Sequence, residues 1–149
     1  MKQKTNTQTN NDSEKIKKIV DQSRKGHLWG LKDILMAVPA DQQGPLLNNC
    51  DSFGDTALLA AISNGHETVV RYLLTIPGLD LNLANERTQY TPLIMSAAKG
   101  YKTIVQLLLS NKSVVTGSTD INKMTAAEEA VYNHHDDIAQ LIRSSSTPS

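Results

Sequence analysis

Residues 91–109 read TPLIMSAAKGYKTIVQLLL, and residues 56–74 read TALLAAISNGHETVVRYLL. Both open on threonine, carry small residues in the middle, reach a glycine nine residues on and close on an aliphatic run. Thr91 follows Thr56 by 35 residues, and Gly100 follows Gly65 by 35. A fainter copy, TAAEEAVYNHHDDIAQLI, starts at Thr125, 34 residues after Thr91. A period of roughly 20–50 residues marks stacked supersecondary units, because each unit leaves an apolar face that only a neighbour can bury. Working toward the N-terminus, Gly26, Leu31, Ile34 and Leu35 match Gly65, Val70, Leu73 and Leu74 at identical offsets. Gly65 follows Gly26 by 39 residues, so the first unit is a divergent copy followed by extra loop. Terminal units are expected to diverge, since one face of each meets water.

Within a unit the residue types have separate tasks. A threonine hydroxyl caps a short first helix, and Pro92 suits the first helical position, where an N–H would be unpaired anyway. Small residues such as Ala60-Ala61 and Ser96-Ala97-Ala98 let layers approach. The central glycine turns the chain through positive φ, and a second, leucine-rich helix covers the back. Ser13 is read as the cap of the first helix, after a polar stretch, residues 1–12, read as a flexible tail. Pro39 and Gly44-Pro45 are read as a long break, and residues 144–149 as a polar end. The units are thus placed at about 13–38, 51–83, 86–115 and 120–143 within a domain spanning 13–143.

Composition narrows the function. The chain has 149 residues, 39% of them hydrophobic but with one Phe and one Trp, which suits thin helical layers. Fifteen basic and fifteen acidic residues cancel, unlike the basic balance of a nucleic-acid protein. The balance is uneven: residues 1–32 hold eight Lys/Arg against three Asp/Glu, and residues 33–149 hold seven against twelve. One cysteine, Cys50, excludes an intrachain disulfide and fits the cytosol. No apolar run nears the ~20 residues of a membrane span.

These motifs resemble the ankyrin repeat family. Its Thr-Pro-Leu-His opening corresponds to Thr91-Pro92-Leu93-Ile94 and, more loosely, Thr56-Ala57-Leu58-Leu59. Its Gly-His turn corresponds to Gly65-His66 and Gly100-Tyr101, and its Asp-x-x-Gly-x-Thr segment to Asp51 through Gly54 to Thr56. Its Gly-Ala-Asp-Val-Asn ending corresponds to Gly78-Leu79-Asp80-Leu81-Asn82. The usual His is replaced by Leu59 and Ile94, the Gly-Ala-Asp turn is missing after Leu109, and His134-His135 fills the Gly-His slot of the last unit. The resemblance implies an all-α ankyrin-repeat solenoid of about four helix-turn-helix units with divergent caps. It implies no catalysis, no cofactor and no metal, and a protein partner bound by a cytoplasmic monomer acting as adaptor, inhibitor or host-directed effector. The setting of Asn82 is similar to that of ankyrin asparagines that become hydroxylated.

The family binds partners with its concave side, the finger tips and the exposed edge of the first helix. Carried onto this chain, those slots are Ser52, Phe53, Asp55, Ser63 and Asn64 in the second unit. In the third they are Arg87, Thr88, Tyr90, Ala98 and Lys99, and in the fourth Asn122, Met124, Tyr132 and Asn133. Phe53, Tyr90 and Met124 are expected to form a row on successive fingers, with aromatic and Met side chains as anchors. Trp29 is expected to shield the cap or the 36–50 loop. Glu128-Glu129 is read as a solvated face, because consecutive helical residues point in different directions. The basic residues from Lys15 to Lys32 are read the same way. A metal-dependent protein or enzyme using His134–Asp137, or a self-associating structural module, are the competing classes. Adjacent ligands rarely reach one ion, and Asp136-Asp137 suits the positive end of a helix.

Overall fold

The computed structural model describes residues 6–146 and, among them, nine helices and no β-strand. They are α1 (Asn6–Lys25), α2 (Leu28–Met36), α3 (Ala40–Leu47), α4 (Ala57–Ser63), α5 (Glu67–Leu73), α6 (Pro92–Lys99), α7 (Lys102–Leu109), α8 (Ala126–Tyr132) and α9 (Asp136–Ser146). Helices α1, α4, α6 and α8 stack as an inner layer, and α5, α7 and α9 stack behind it, each inner helix packing on its own outer partner. In the two middle units the first helix is nearly all aliphatic or small and is buried along most of its length: Ala57 through Ile62 and Leu93 through Ala97 are all in the core. A short helix that is apolar all round is stable only between neighbours, which is why the units cannot stand alone.

Threonine caps the first helix of the second, third and fourth units, as its spacing suggested. Leu59 N–H donates to Thr56 Oγ1 at 3.2 Å, Ile94 N–H to Thr91 Oγ1 at 3.2 Å, and Glu128 N–H to Thr125 Oγ1 at 3.3 Å. At α8 the Glu128 carboxylate accepts from Thr125 N–H in return, completing a capping box. The turn between paired helices takes positive φ at Gly65 (69°) and Gly100 (77°), and at His134 (66°) in the last unit. An aromatic ring from the next unit lies on each glycine: Tyr101 on Gly65 and His135 on Gly100. His66 lies on Gly26 likewise, and its Nε2–H donates to the Arg24 carbonyl at 2.9 Å, which sets the tautomer. The turn glycine therefore serves both φ and the close approach of the neighbouring ring.

The ends and the first loop differ from expectation. Helix α1 begins at Asn6, ahead of Ser13, so residues 6–12 continue the helix; residues 1–5 lie outside the described residues. Once a helix is nucleated, each added residue brings one more backbone bond, so a polar run can propagate it. Helix α9 runs on through Ser144 to Ser146, with Ser145 Oγ donating to the Ile142 carbonyl at 2.7 Å. The segment read as a long break contains helix α3, with Pro45 inside it. Leu47 is buried, and Gln43 Nε2 donates to the carbonyls of Leu35 and Val38 at 2.9 and 3.1 Å, so tertiary packing overrides the proline signal. Trp29 does not shield that loop: it is 77% exposed, with Lys32 Nζ 5.2 Å from its ring. The buried positions of α2 are Leu31 and Leu35, and Trp29 falls on the opposite side.

Asparagine amides tie successive loops together. Asp80 N–H donates to Asn48 Oδ1 at 2.7 Å, and Asn48 Nδ2 donates to the Gly78 carbonyl at 2.9 Å. One unit later Val115 N–H donates to Asn82 Oδ1 at 2.8 Å, and Asn82 Nδ2 to the Ser113 carbonyl at 2.8 Å. The loop after Leu109, which lacks the Gly-Ala-Asp turn, is held by this second clasp.

Candidate concave binding surface

Each finger is organised by one side chain that folds over its own backbone. Asp51 Oδ1 accepts from the N–H groups of Phe53 and Asp55 at 2.9 and 3.0 Å. Asn85 Oδ1 accepts from Arg87 and Thr88 N–H at 2.8 and 3.2 Å, and Asp120 Oδ1 from Asn122 and Met124 N–H at 2.8 and 3.1 Å. These local bonds make the tight turn that exposes the finger tips. Just before the threonine cap each finger takes positive φ, at Gly54 (83°), Gln89 (59°) and Lys123 (68°).

The expected row of Phe53, Tyr90 and Met124 is split in two. Tyr90, Lys99, Asn122, Met124, Tyr132 and Asn133 line one concave pocket of about 570 Å³, together with Ala98 and Glu129. Seven of the residues marked out by sequence, Ala98 included, thus converge at the C-terminal end of the groove. Tyr90 is half-buried and Tyr132 is 73% exposed across the mouth. Phe53 and Ser52 belong instead to a second pocket against α1, lined also by Lys17, Lys18 and Arg24. Phe53 is 59% exposed, and the Arg24 guanidinium of α1 lies 5.7 Å from its ring centroid. Between the two ends, Arg87 Nη2 donates to the Ser52 carbonyl at 3.2 Å, while Thr88, Ser63 and Asn64 lie at or near the surface. Asp55 is engaged within the protein: its carboxylate meets Arg24 at 3.2 Å and accepts from Asn85 Nδ2 at 2.7 Å.

Two readings of charged residues need correction. Arg24 is not part of a solvated basic face, because it bridges Asp51 Oδ2 at 2.9 Å and Asp55 Oδ2 at 3.2 Å. Burial alone would raise the Asp51 pKa, but the Arg24 guanidinium and the N–H groups of Asp55 and Phe53 outweigh it and hold Asp51 below the usual carboxylate range. Glu129 is not solvated either. Glu128 is exposed at the cap, but Glu129 is 4% exposed and stands beside Asp120, which is 1% exposed. Asp120 Oδ2 is buried with no donor of its own, so its contact with Glu129 is a hydrogen bond only when one carboxyl carries a proton. Burial, then the adjoining Asp120, push the Glu129 pKa up, against the Asn133 amide and the Tyr90 hydroxyl, which favour its charged form. Burial opposes ionisation of Asp120 as well, but the Glu129 hydrogen and the Met124 and Asn122 N–H groups hold it down. The two shifts run in opposite directions: the surroundings favour the protonated form of Glu129 and the ionised form of Asp120. The missed signal was positional: Glu129 follows its cap threonine by four residues, where the second unit has buried Ala60.

The His134–Asp137 segment is structural. His134 makes the turn, His135 covers Gly100, and the Asp137 carboxylate meets Lys102 Nζ at 3.3 Å. Among the described residues no group of three or more His, Cys, Asp or Glu side chains could hold a metal ion.

Comparisons with known proteins agree with this architecture. A family model described as ankyrin repeats (3 copies) matches residues 10–120 and 76–147. The chain is 28% identical over 103 residues to the ankyrin repeat-containing protein ITN1 of Arabidopsis thaliana, covering 69% of this chain and 17% of that protein. It is 34% identical over 140 residues to the ankyrin repeat and KH domain-containing protein mask-1 of Caenorhabditis elegans, covering 90% of this chain and 5% of that protein. The chain thus spans less than a fifth of the length of these two relatives. The period, the threonine caps, the glycine turns and the family match agree, and the chain belongs to the ankyrin repeat family.

Proposed function

We propose that the chain is a non-catalytic recognition module that holds a partner protein on its concave face. Ankyrin repeats generally mediate protein–protein interaction, and the family is generally non-enzymatic. The observation that carries the reading is the pocket where Tyr90, Met124 and Tyr132 converge beside polar Asn122 and Asn133. Exposed aromatic and Met side chains with a polar rim have the composition of an interface centre. Ser52, Phe53, Arg87, Thr88, Ser63 and Asn64 extend that surface toward α1. Asp55, turned inward, supports the finger instead of contacting a partner. The chain acts as a monomer in the cytoplasm, and whether it serves as adaptor, inhibitor or effector depends on the partner. No described helix is long and apolar enough to cross a membrane.

A pull-down from cell lysate tests this. A Met124→Ala/Tyr132→Ala variant, folded by circular dichroism, is expected to lose the partner that the native protein retains. Equal capture by both would move the contact to the outer helices or to the basic face of α1.

A further inference from the structure

We propose that the pocket over Glu129 and Asp120 is a subsite for an arginine side chain of an extended segment of the partner. The inference rests on the concave-face reading above and gives that face a chemistry.

The argument comes from an internal precedent. Asp51 and Asp120 each precede their cap threonine by five residues. Each folds Oδ1 over two finger N–H groups and is left with Oδ2 to satisfy. At Asp51 the chain supplies the partner itself, the guanidinium of Arg24 on the preceding inner helix. Arg24 stands two residues before Gly26, and the residue two before Gly100 is Ala98. Ala98 lines the pocket beside Glu129, so where the second finger has a guanidinium the fourth has open space. In the intervening finger the slot holds Ser63, and the organising side chain is the neutral Asn85, which needs no cation.

The walls suit a guanidinium. Buried Glu129 lines the pocket together with Tyr90 and Tyr132, so a carboxyl and aromatic rings are available to a planar cation. The groups facing the pair are the Tyr90 hydroxyl, the Asn133 amide, the Asn122 and Met124 N–H groups and, on the pocket lining, exposed Lys99. Among the described residues no Lys or Arg makes an ion pair with Asp120 or Glu129, Lys99 included. In the free protein a proton on the buried carboxyl pair would stand in for the missing cation, since two adjoining buried carboxylates resist ionising together. An arriving guanidinium pairs with Glu129 beside Asp120, and the proton leaves to water. Binding therefore tightens as pH rises toward the Glu129 titration, by at most ~10-fold per pH unit for one proton released.

The test is a nitrogen-15 NMR titration of the full chain with the peptide acetyl-Ala-Ala-Arg-Ala-Ala-amide, beside the same peptide carrying citrulline, which keeps the shape and removes the charge. The arginine peptide is expected to give saturable shifts at Met124, Tyr132 and Asn133 that strengthen with pH, and the citrulline peptide at least ~10-fold weaker binding, the loss of one charge-assisted contact. Ala98→Arg is expected to stay folded, to ionise Glu129 in the carboxyl carbon spectrum and to abolish the peptide shifts. Equal binding of both peptides, no binding of either, or an Ala98→Arg protein with Glu129 still protonated would overturn the proposal. A lysate partner lost with Tyr132→Ala but held by Glu129→Gln and by Ala98→Arg would remove the arginine subsite and leave the concave-face reading standing. A partner indifferent to all three would remove both.

Discussion

The fingers at Asp51 and Asp120 are built alike and neutralised differently. In both, one carboxylate oxygen gathers two backbone N–H groups. In the first, the other oxygen meets Arg24; in the second, it meets another carboxyl, Glu129. The first finger is electrostatically closed, and its Phe53 leans on the cation that closes it. The second sets two buried carboxyls side by side and opens on a pocket lined by Tyr90 and Tyr132. Repetition supplies the same scaffold twice, and the residue two before the turn glycine, Arg24 or Ala98, decides whether the site is filled from within. An open pocket can thus arise from the absence of an internal partner at one copy of a repeated position.

The comparison assumes that both fingers stand in one frame, and breaking the frame has the largest expected effect. Gly65→Val puts a β-branched residue at φ 69°, with its Cβ 3.1 Å from the Tyr101 ring. Left-handed backbone and overpacking together are expected to cost about 3 kcal/mol, read from urea unfolding. An unchanged midpoint would refute the turn assignment.

Next comes the closed finger. Arg24→Ala leaves Asp51 and Asp55 facing each other without a cation and is expected to cost about 2 kcal/mol at neutral pH, the lower end for a partly exposed pair. The sign with pH follows from Asp51. Its folded pKa is depressed, so its contribution is present above its unfolded pKa and is lost as pH falls through the folded one. The native protein should therefore lose stability in acid more steeply than Arg24→Ala. Parallel acid profiles would mean that Arg24 does not set the Asp51 pKa.

The fourth finger should behave in the opposite sense. Glu129 has a raised folded pKa, so its contribution is present below its unfolded pKa and is lost as pH rises through the folded one. Glu129→Gln keeps a donor for Asp120 that does not titrate. Thermal melts should show the native protein weakening with rising pH relative to the variant, by a few degrees. A native protein no more alkali-sensitive than the variant would mean that the two carboxyls do not share a proton.

The smallest effect sharpens the shared geometry. His134 and Lys123 occupy slots of positive φ that glycine fills in the second unit, at Gly65 and Gly54. His134→Gly or Lys123→Gly is expected to stabilise by up to ~1 kcal/mol, since relief of left-handed strain exceeds the added chain entropy of glycine. A loss of stability at either position would show that the side chain holds the turn through its own contacts.

Much of this molecule is legible from its residues because repeats carry their contacts at fixed offsets. The period placed the helix pairs, the threonines placed the caps, and the glycines placed the turns, each through bonds that span a few residues. Family slots placed six of the eight residues that line the C-terminal pocket, with Ala98 a seventh. What misled were contacts between distant parts of the chain. Arg24 looked like one of several exposed cations until α1 packed on α4 and brought it to Asp51. Glu129 looked like half of an exposed pair until α6 and α8 closed around it. Pro45 looked like a break until Leu47 found the core. Sequence alone determined the repeating scaffold, because short-range hydrogen bonding and periodic hydrophobicity are written locally. Tertiary structure alone decided which charges are neutralised and which are left facing one another, because electrostatic energy depends on burial and on neighbours distant in sequence, such as Asp55, 31 residues from Arg24.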